Sequence, residues 1–268
     1  MTEAIYAIVG ARNEEKTIAN VLHQLERLHV SGATLVLNGC TDGTQAICSR
    51  LQRQLSYPLA LVVSDEALGH DVARAVGTYH ALRKYRREMA FVYVDADWGG
   101  SFAPMLEAFV HDGLTTRADV TSVSFACLEQ GKFFETMSRP WKKALACQQT
   151  IPLAAAPFML PMLVQARLFA RLSPLALSHP GHWIAQCATL PCRWRIYDHW
   201  DLSLVGHLAK SERHNHHIAA RIAADGEIAY RLLNGLPLLA QRPISALPPR
   251  NFAWLRQYAA TISWPETD

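Results

Sequence analysis

The chain has no CxxC pair, no GxGxxG segment, no unbroken apolar run of membrane-spanning length and no dense stripe of basic residues. Each absence removes a class of protein. Six cysteines (Cys40, Cys48, Cys127, Cys147, Cys187 and Cys192) are scattered without paired spacing, which excludes a zinc ribbon or a disulfide framework and fits free thiols in a reducing cytoplasm. Without GxGxxG after any candidate strand, the dinucleotide fingerprint of a dehydrogenase is missing. The longest apolar stretch, Ile151 to Val164, is interrupted by Pro152, Pro157 and Pro161 and falls short of the roughly 20 residues a spanning helix needs. The N-terminus carries Glu3 where a secretory leader would be basic, so a cytoplasmic location is expected. A formal charge of +3 is too small to choose a partner and argues against nucleic acid.

What is present is an ordinary globular composition, half hydrophobic and 18% charged, patterned as βα units. Ala4 to Val9, Thr34 to Leu37, Leu59 to Val63, Ala90 to Val94 and Val120 to Phe125 are short apolar runs of the kind expected for strands buried on both faces. After the first run, Ile18, Val21, Leu22, Leu25 and Leu28 share one helical face. Asn13 is read as the N-cap, with Glu14 and Glu15 in the first turn. A second helix is expected to start near Thr44, after the turn-rich segment Asn38 to Gly43. A third helix, carrying Val72, Ala75, Val76 and Tyr79, follows Gly69. The predicted class is α/β, a Rossmann-like, mainly parallel sheet flanked by helices. Residues 1–130 are expected to form a nucleotide-binding half, and 131–268 an acceptor subdomain packed on it as one globular unit. The Pro-rich stretch with Arg167 and Arg171 reads as a buried helix, with a peripheral membrane contact as the alternative.

The fourth run ends in Asp95-Ala96-Asp97. Two acids two residues apart on an extended chain face the same side. At the carboxyl end of a strand in an open α/β sheet, they stand where ligands bind. Such a pair suits a hard cation, Mg²⁺ or Mn²⁺, that also takes phosphate oxygens. The cluster His214, His216 and His217 beside Glu212 admits two readings, a second metal site or a solvated helix start.

Four segments, IYAIVGARNEEKTIANVLHQL, LVLNGCTDGTQAI, ALGHDVARAVGTYHAL and FVYVDADWGG, occur in an order and spacing that resembles the family 2 glycosyltransferases of GT-A fold. The resemblance covers about residues 4 to 125. It implies a nucleoside diphosphate sugar donor, with Ala11, Asn13 and Glu15 lining the nucleoside and Asn38 and Gly39 flanking the base. His70 and Ala96 complete the donor-side positions. Asp95 would meet the ribose or a metal-bound water, and Asp97 would bind the metal. Later segments resemble the glucosyl-3-phosphoglycerate and mannosylglycerate synthases: KFFETMSRPW places Arg139 near an anionic acceptor, and DLSLVGHLAK makes His207 a metal ligand. That likeness implies retention at the anomeric carbon; an inverting enzyme would draw its base from Glu135, Asp198 or Asp201. The expected partners are thus a sugar nucleotide and a small hydroxyl acceptor, with a homodimer also compatible.

The chain departs from the family pattern at Leu37, where an acid is usual, at His70-Asp71, where Lys-Gly is usual, and at Ala154-Ala155-Ala156, in place of Gly-Gly-Glu. These departures motivate the alternative of a nucleotide-sugar-binding relative with regulatory or weakened activity. A sugar-1-phosphate nucleotidyltransferase fits less well, because the loop at Gly10 to Glu15 has one glycine and two acids where a triphosphate needs a glycine-rich basic loop.

Overall fold

The computed structural model describes residues 4–84, 89–128, 132–206, 212–239 and 250–261. Among them seven strands form one sheet: β1 (Ala4–Ala11), β2 (Gly32–Asn38), β3 (Leu59–Ser64), β4 (Met89–Asp95), β5 (Val120–Val123), β6 (Met162–Gln165) and β7 (Trp194–Tyr197). Their order is β3-β2-β1-β4-β6-β5-β7. Only β6 runs antiparallel to its neighbours, β4 and β5; the other pairs are parallel. The expected α/β class with a mainly parallel sheet is what the structure shows.

The central strands form where apolar residues are continuous. Every residue of β2 is buried, as is β4 up to Val94, the pattern of strands covered on both faces. The helices are α1 (Ile18–Arg27), α2 (Thr44–Leu51), α3 (His70–Lys84), α4 (Ala103–Thr115), α5 (Lys132–Leu145), α6 (Pro180–Thr189), α7 (Glu212–Leu233) and α8 (Phe252–Thr261). Ile18, Val21, Leu22 and Leu25 of α1 are fully buried, so its apolar stripe is the face turned to the core. Helix α3 packs across β1 and β2, and α7 packs against both α5 and α6.

Three sequence expectations are corrected. Helix α1 starts after Thr17, and Asn13 does not cap it. Asn13 has a left-handed backbone, φ 58°, and Glu14 and Glu15 lie in the loop ahead of the helix. The fifth strand ends at Val123, and Phe125 opens a short 3-10 helix. The Pro-rich stretch is not a buried helix: it ends in β6, followed by a 3-10 helix over Ala166–Ala170. Pro157 and Pro161 withhold backbone donors and bias their predecessors away from helix. What remains, Met162 to Gln165, is too short to fold as a helix and pairs between β4 and β5. Arg167 there donates through Nε to Asp119 at 2.9 Å.

The C-terminal helix returns to the N-terminal half. Tyr258 of α8 lies edge-on to Tyr79 and within 2.9 Å of His80 Nδ1, and the Asn251 amide donates to Leu68 O at 2.9 Å. Strand order reverses between β1 and β4, and a crevice at such a switch point is where open α/β sheets bind ligands.

Candidate active site

The register of the sheet sets the site. Gly10 of β1 stands beside Asp95 of β4, and Ala11 stands beside Leu37 of β2. Close packing keeps residue 10 small, since a Cβ there would lie 3.0 Å from Ala73 Cβ on α3.

The loops after β1 and β2 form one hydrogen-bonded unit. Asn13 Oδ1 accepts the Thr41 amide at 2.8 Å, and the Glu14 amide donates to Thr44 Oγ1 at 2.8 Å. The Glu15 amide donates to Asp42 Oδ2 at 3.2 Å, and Glu15 Oε2 accepts the Gly43 amide at 2.8 Å. Glu15 is therefore an acid at a helix N-terminus, but the helix is α2, not its own. Burial alone would raise the Asp42 carboxyl; hydrogen bonds from Thr44 and from the Glu15 amide hold it below the usual carboxylate range.

Asn38 is buried, and its Oδ1 accepts the Leu68 amide, joining the end of β2 to the loop before α3. Gly39 is required by geometry: its φ is +65°, and a Cβ would lie 2.6 Å from Ala67 N. Leu37 is fully buried. The backbone of His70 opens α3, while its side chain lies outside the described residues.

Asp95 ends β4 and Asp97 lies in the turn that follows, so the two acids do not share one extended stretch as their spacing predicts; both are half-buried, and Ala96 between them is buried. Arg74 of α3 reaches Asp95, Nη2 to Oδ1 at 3.5 Å, and Asp71, Nη1 to Oδ1 at 3.6 Å. The turn beyond Asp97 is fixed from three sides. Asn20 Nδ2 donates to Trp98 O at 3.1 Å and Gly100 O at 3.0 Å. Trp98 is buried against Phe102 and Trp200, with ring centroids 4.9 and 5.5 Å away. The Gly99 and Gly100 amides donate to Gly206 O and Val205 O at 3.2 and 2.8 Å. His207 lies outside the described residues, as does the side chain of His214. His216 and Glu212 are solvent-facing partners 3.8 Å apart on α7. Among the described residues, no group of three His, Cys, Asp or Glu side chains comes together as a metal site.

The structure thus brings Ala11, Asn13, Glu15, Asn38, Gly39, Asp95, Ala96 and Asp97 to one end of the sheet, at β1, β2, β4 and the loops that follow them. Arg139 sits on the exposed side of α5. Sequence reading missed Arg74, although its three-residue spacing from Asp71 puts both on one helical face. It also missed Asn20 and Trp98. Asn20 bonds across 78 and 80 positions, a distance at which no local pattern exists.

No protein-family model matches the chain. It is 34% identical over 94 residues to an uncharacterised protein of Methanocaldococcus jannaschii, a match covering 34% of this chain and 39% of that one; the aligned part is thus well under half of the relative's length. Among solved structures, the chain resembles TarS 1-349 of S. aureus with a TM-score of 0.51 at 15% identity, covering 86% of this chain and 71% of that one. The likeness is one of fold, and it agrees with the GT-A type of sheet. Among the described residues no helix is long and apolar enough to cross a membrane.

Proposed function

We propose that the chain is a glycosyltransferase that moves a hexose from a UDP- or GDP-sugar to a hydroxyl acceptor. The observation that carries the reading is the pair formed by Asp95, which ends β4 beside Gly10 at the switch point, and Asp97, in the turn just beyond it. The chemistry of this donor set fits a hard divalent cation, since both acids offer oxygen. Asp97, with His207, would hold Mg²⁺ or Mn²⁺. Bound there, the metal would offset the negative charge that develops on the departing diphosphate.

The chain's own residues do the rest by positioning and by fixed charge. The loop at Asn13 to Glu15 is held by hydrogen bonds to Thr41 through Thr44, and Asn38 and Gly39 by bonds to Leu68 and Ser64, so the nucleoside meets a surface that needs little rearrangement. Arg74 presents a guanidinium at the same strand end as the acids, suited to phosphate oxygens. Arg139 is assigned to a small anionic acceptor such as a phosphoglycerate, with retention at the anomeric carbon. The buried Leu37, where a base-contacting acid would stand, favours one alternative: a relative that binds the nucleotide with weakened or regulatory activity.

The test is calorimetric titration of UDP, GDP and their glucose and mannose conjugates with Mn²⁺, Mg²⁺ or EDTA, on wild type, Asp97→Asn and Asp97→Ala. Metal-dependent binding that disappears in both variants is expected. If none of these nucleotides binds to a folded wild type, the transferase reading is wrong. Binding without transfer to any hydroxyl acceptor selects the alternative.

A further inference from the structure

A buried ion cluster behind Asp95 joins the C-terminal segment to the candidate donor site. Asp71 and Asp225 are 2% and 3% exposed. Arg250 donates to Asp71 Oδ2 through Nε at 3.0 Å and Nη2 at 2.7 Å, and through Nη2 also to Asp225. The other oxygen of Asp71 faces Arg74, which in turn faces Asp95. The contacts run in one line, from Arg250 through Asp71 and Arg74 to Asp95. Arg221 on α7 adds a further positive charge to the surroundings of Asp71 and Asp225.

Resting on the donor-site reading, we propose that Arg250 is a positioning residue for the donor site, holding Asp71 so that Arg74 is presented at the strand end that binds the diphosphate. The planar guanidinium fork of Arg250 fixes Asp71 through two bonds to one oxygen and leaves the other oxygen to Arg74. Removing Arg250 leaves two buried carboxylates without their shared cation, a costly arrangement. Arg74 is then drawn onto Asp71 and away from Asp95. A second contact supports the same role: Asn251, the next residue, holds Leu68 O through its amide and Glu66 Oε2 through Nδ2 at 2.7 Å. The C-terminal stretch therefore pins both the loop before α3 and its first turn. It also accounts for an acid at position 71, where the resembled family has glycine: Arg250 supplies the counter-charge.

Two arms test this. The first compares crystal structures of wild type and Arg250→Gln. Displacement of the Arg74 guanidinium from Asp95 is expected, and an unmoved Arg74 overturns the proposal. The second is a double-mutant cycle for UDP and GDP affinity with Mn²⁺, using Arg250→Gln, Arg74→Gln and the pair. Each single change is expected to weaken binding roughly ten-fold, the scale of one charge-assisted hydrogen bond, and the double change to be no worse than either. Fully additive losses, or affinity unchanged in Arg250→Gln, overturn it. Arg250→Lys keeps the charge without the fork and replaces the glutamine variant in both arms if that variant does not fold. If wild type binds neither nucleotide, the donor-site reading fails, and the crystallographic arm still decides whether Arg250 positions Arg74.

Discussion

Gly39→Ala tests whether the end of β2 is shaped by close approach of the loop before α3. Two costs add. A left-handed backbone, φ +65° here, costs a non-glycine residue ~1–2 kcal/mol. The new Cβ would also sit 2.6 Å from Ala67 N and 2.7 Å from Glu66 C. Both are backbone atoms that cannot rotate aside, so the loop must shift at ~1–3 kcal/mol. The sum is about 2–5 kcal/mol. With an unfolding entropy of ~2.1 cal/mol/K per residue, a chain of 268 residues loses about 2 °C of Tm per kcal/mol. Gly39→Ala should therefore lower Tm by roughly 4–9 °C. Gly235 supplies the internal control. Its φ is +62°, and a Cβ added there would meet nothing within 4 Å among the described residues, so Gly235→Ala carries the conformational cost alone and should lose roughly 2–4 °C. Scanning calorimetry on the two variants and wild type makes the comparison. Equal losses at positions 39 and 235 would refute the close approach and, with it, the account of how Asn38 and the 65–69 loop are held together.

Two further outcomes are expected. Glu15→Ala removes the acceptor for the Gly43 amide at the start of α2 and should cost ~0.5–2 kcal/mol by chemical denaturation, the range for losing a helix cap. Glu15→Gln should recover most of that, so a nucleotide affinity that stays low in Glu15→Gln would separate a ligand contact from the capping role. His179 is stacked on Phe252 at a centroid distance of 4.0 Å, and burial first, then the charges of His182 and Arg250, lowers its pKa to about 4. Between pH 6.5 and about 4 the unfolded chain therefore binds the proton more readily. This contribution to stability is complete above pH 6.5 and is lost as pH falls toward 4. Asp225 acts in the opposite sense, because burial, reinforced by the like charge of Asp71, raises its carboxyl. The readout is thus the difference between wild type and His179→Gln: the variant should lose less stability across that pH window, and identical profiles would contradict the assignment.

The first half of the sheet was legible because its rules are local. Continuous apolar runs mark strands covered on both faces, and the 3.6-residue spacing of Ile18, Val21, Leu22 and Leu25 marks the buried side of α1. Asp95 and Asp97 could be placed because they directly follow such a run. The second half was opaque for the opposite reason. Strand β6 is four residues long and follows a proline-broken stretch, and only its pairing with β4 and β5 makes it a strand. Strand β7, also four residues, is specified by its parallel pairing with β5. Asn13 and Glu15 illustrate a subtler failure. Their residue types suggest the cap and first turn of α1, but the amides they accept belong to Thr41 and Gly43 on another loop, and only the sheet brings the two loops together.

The same distinction bears on the departures from the family pattern. Leu37 lies between Ala11 of β1 and Val63 of β3, fully buried. A carboxylate substituted there without other change would be desolvated and uncompensated, so residue 37 and its packing have to be considered together. Asp71 makes the converse case. It is a buried charge that would be unfavourable alone, yet Arg250 meets it from 179 positions away. At position 71 the departure is therefore matched to a partner elsewhere in the chain, and the contacts continue through Arg74 to the acid on which the proposed chemistry depends. Weighing a departure by its own residue type alone, as a lost catalytic feature, omits the partner that determines what the new residue does.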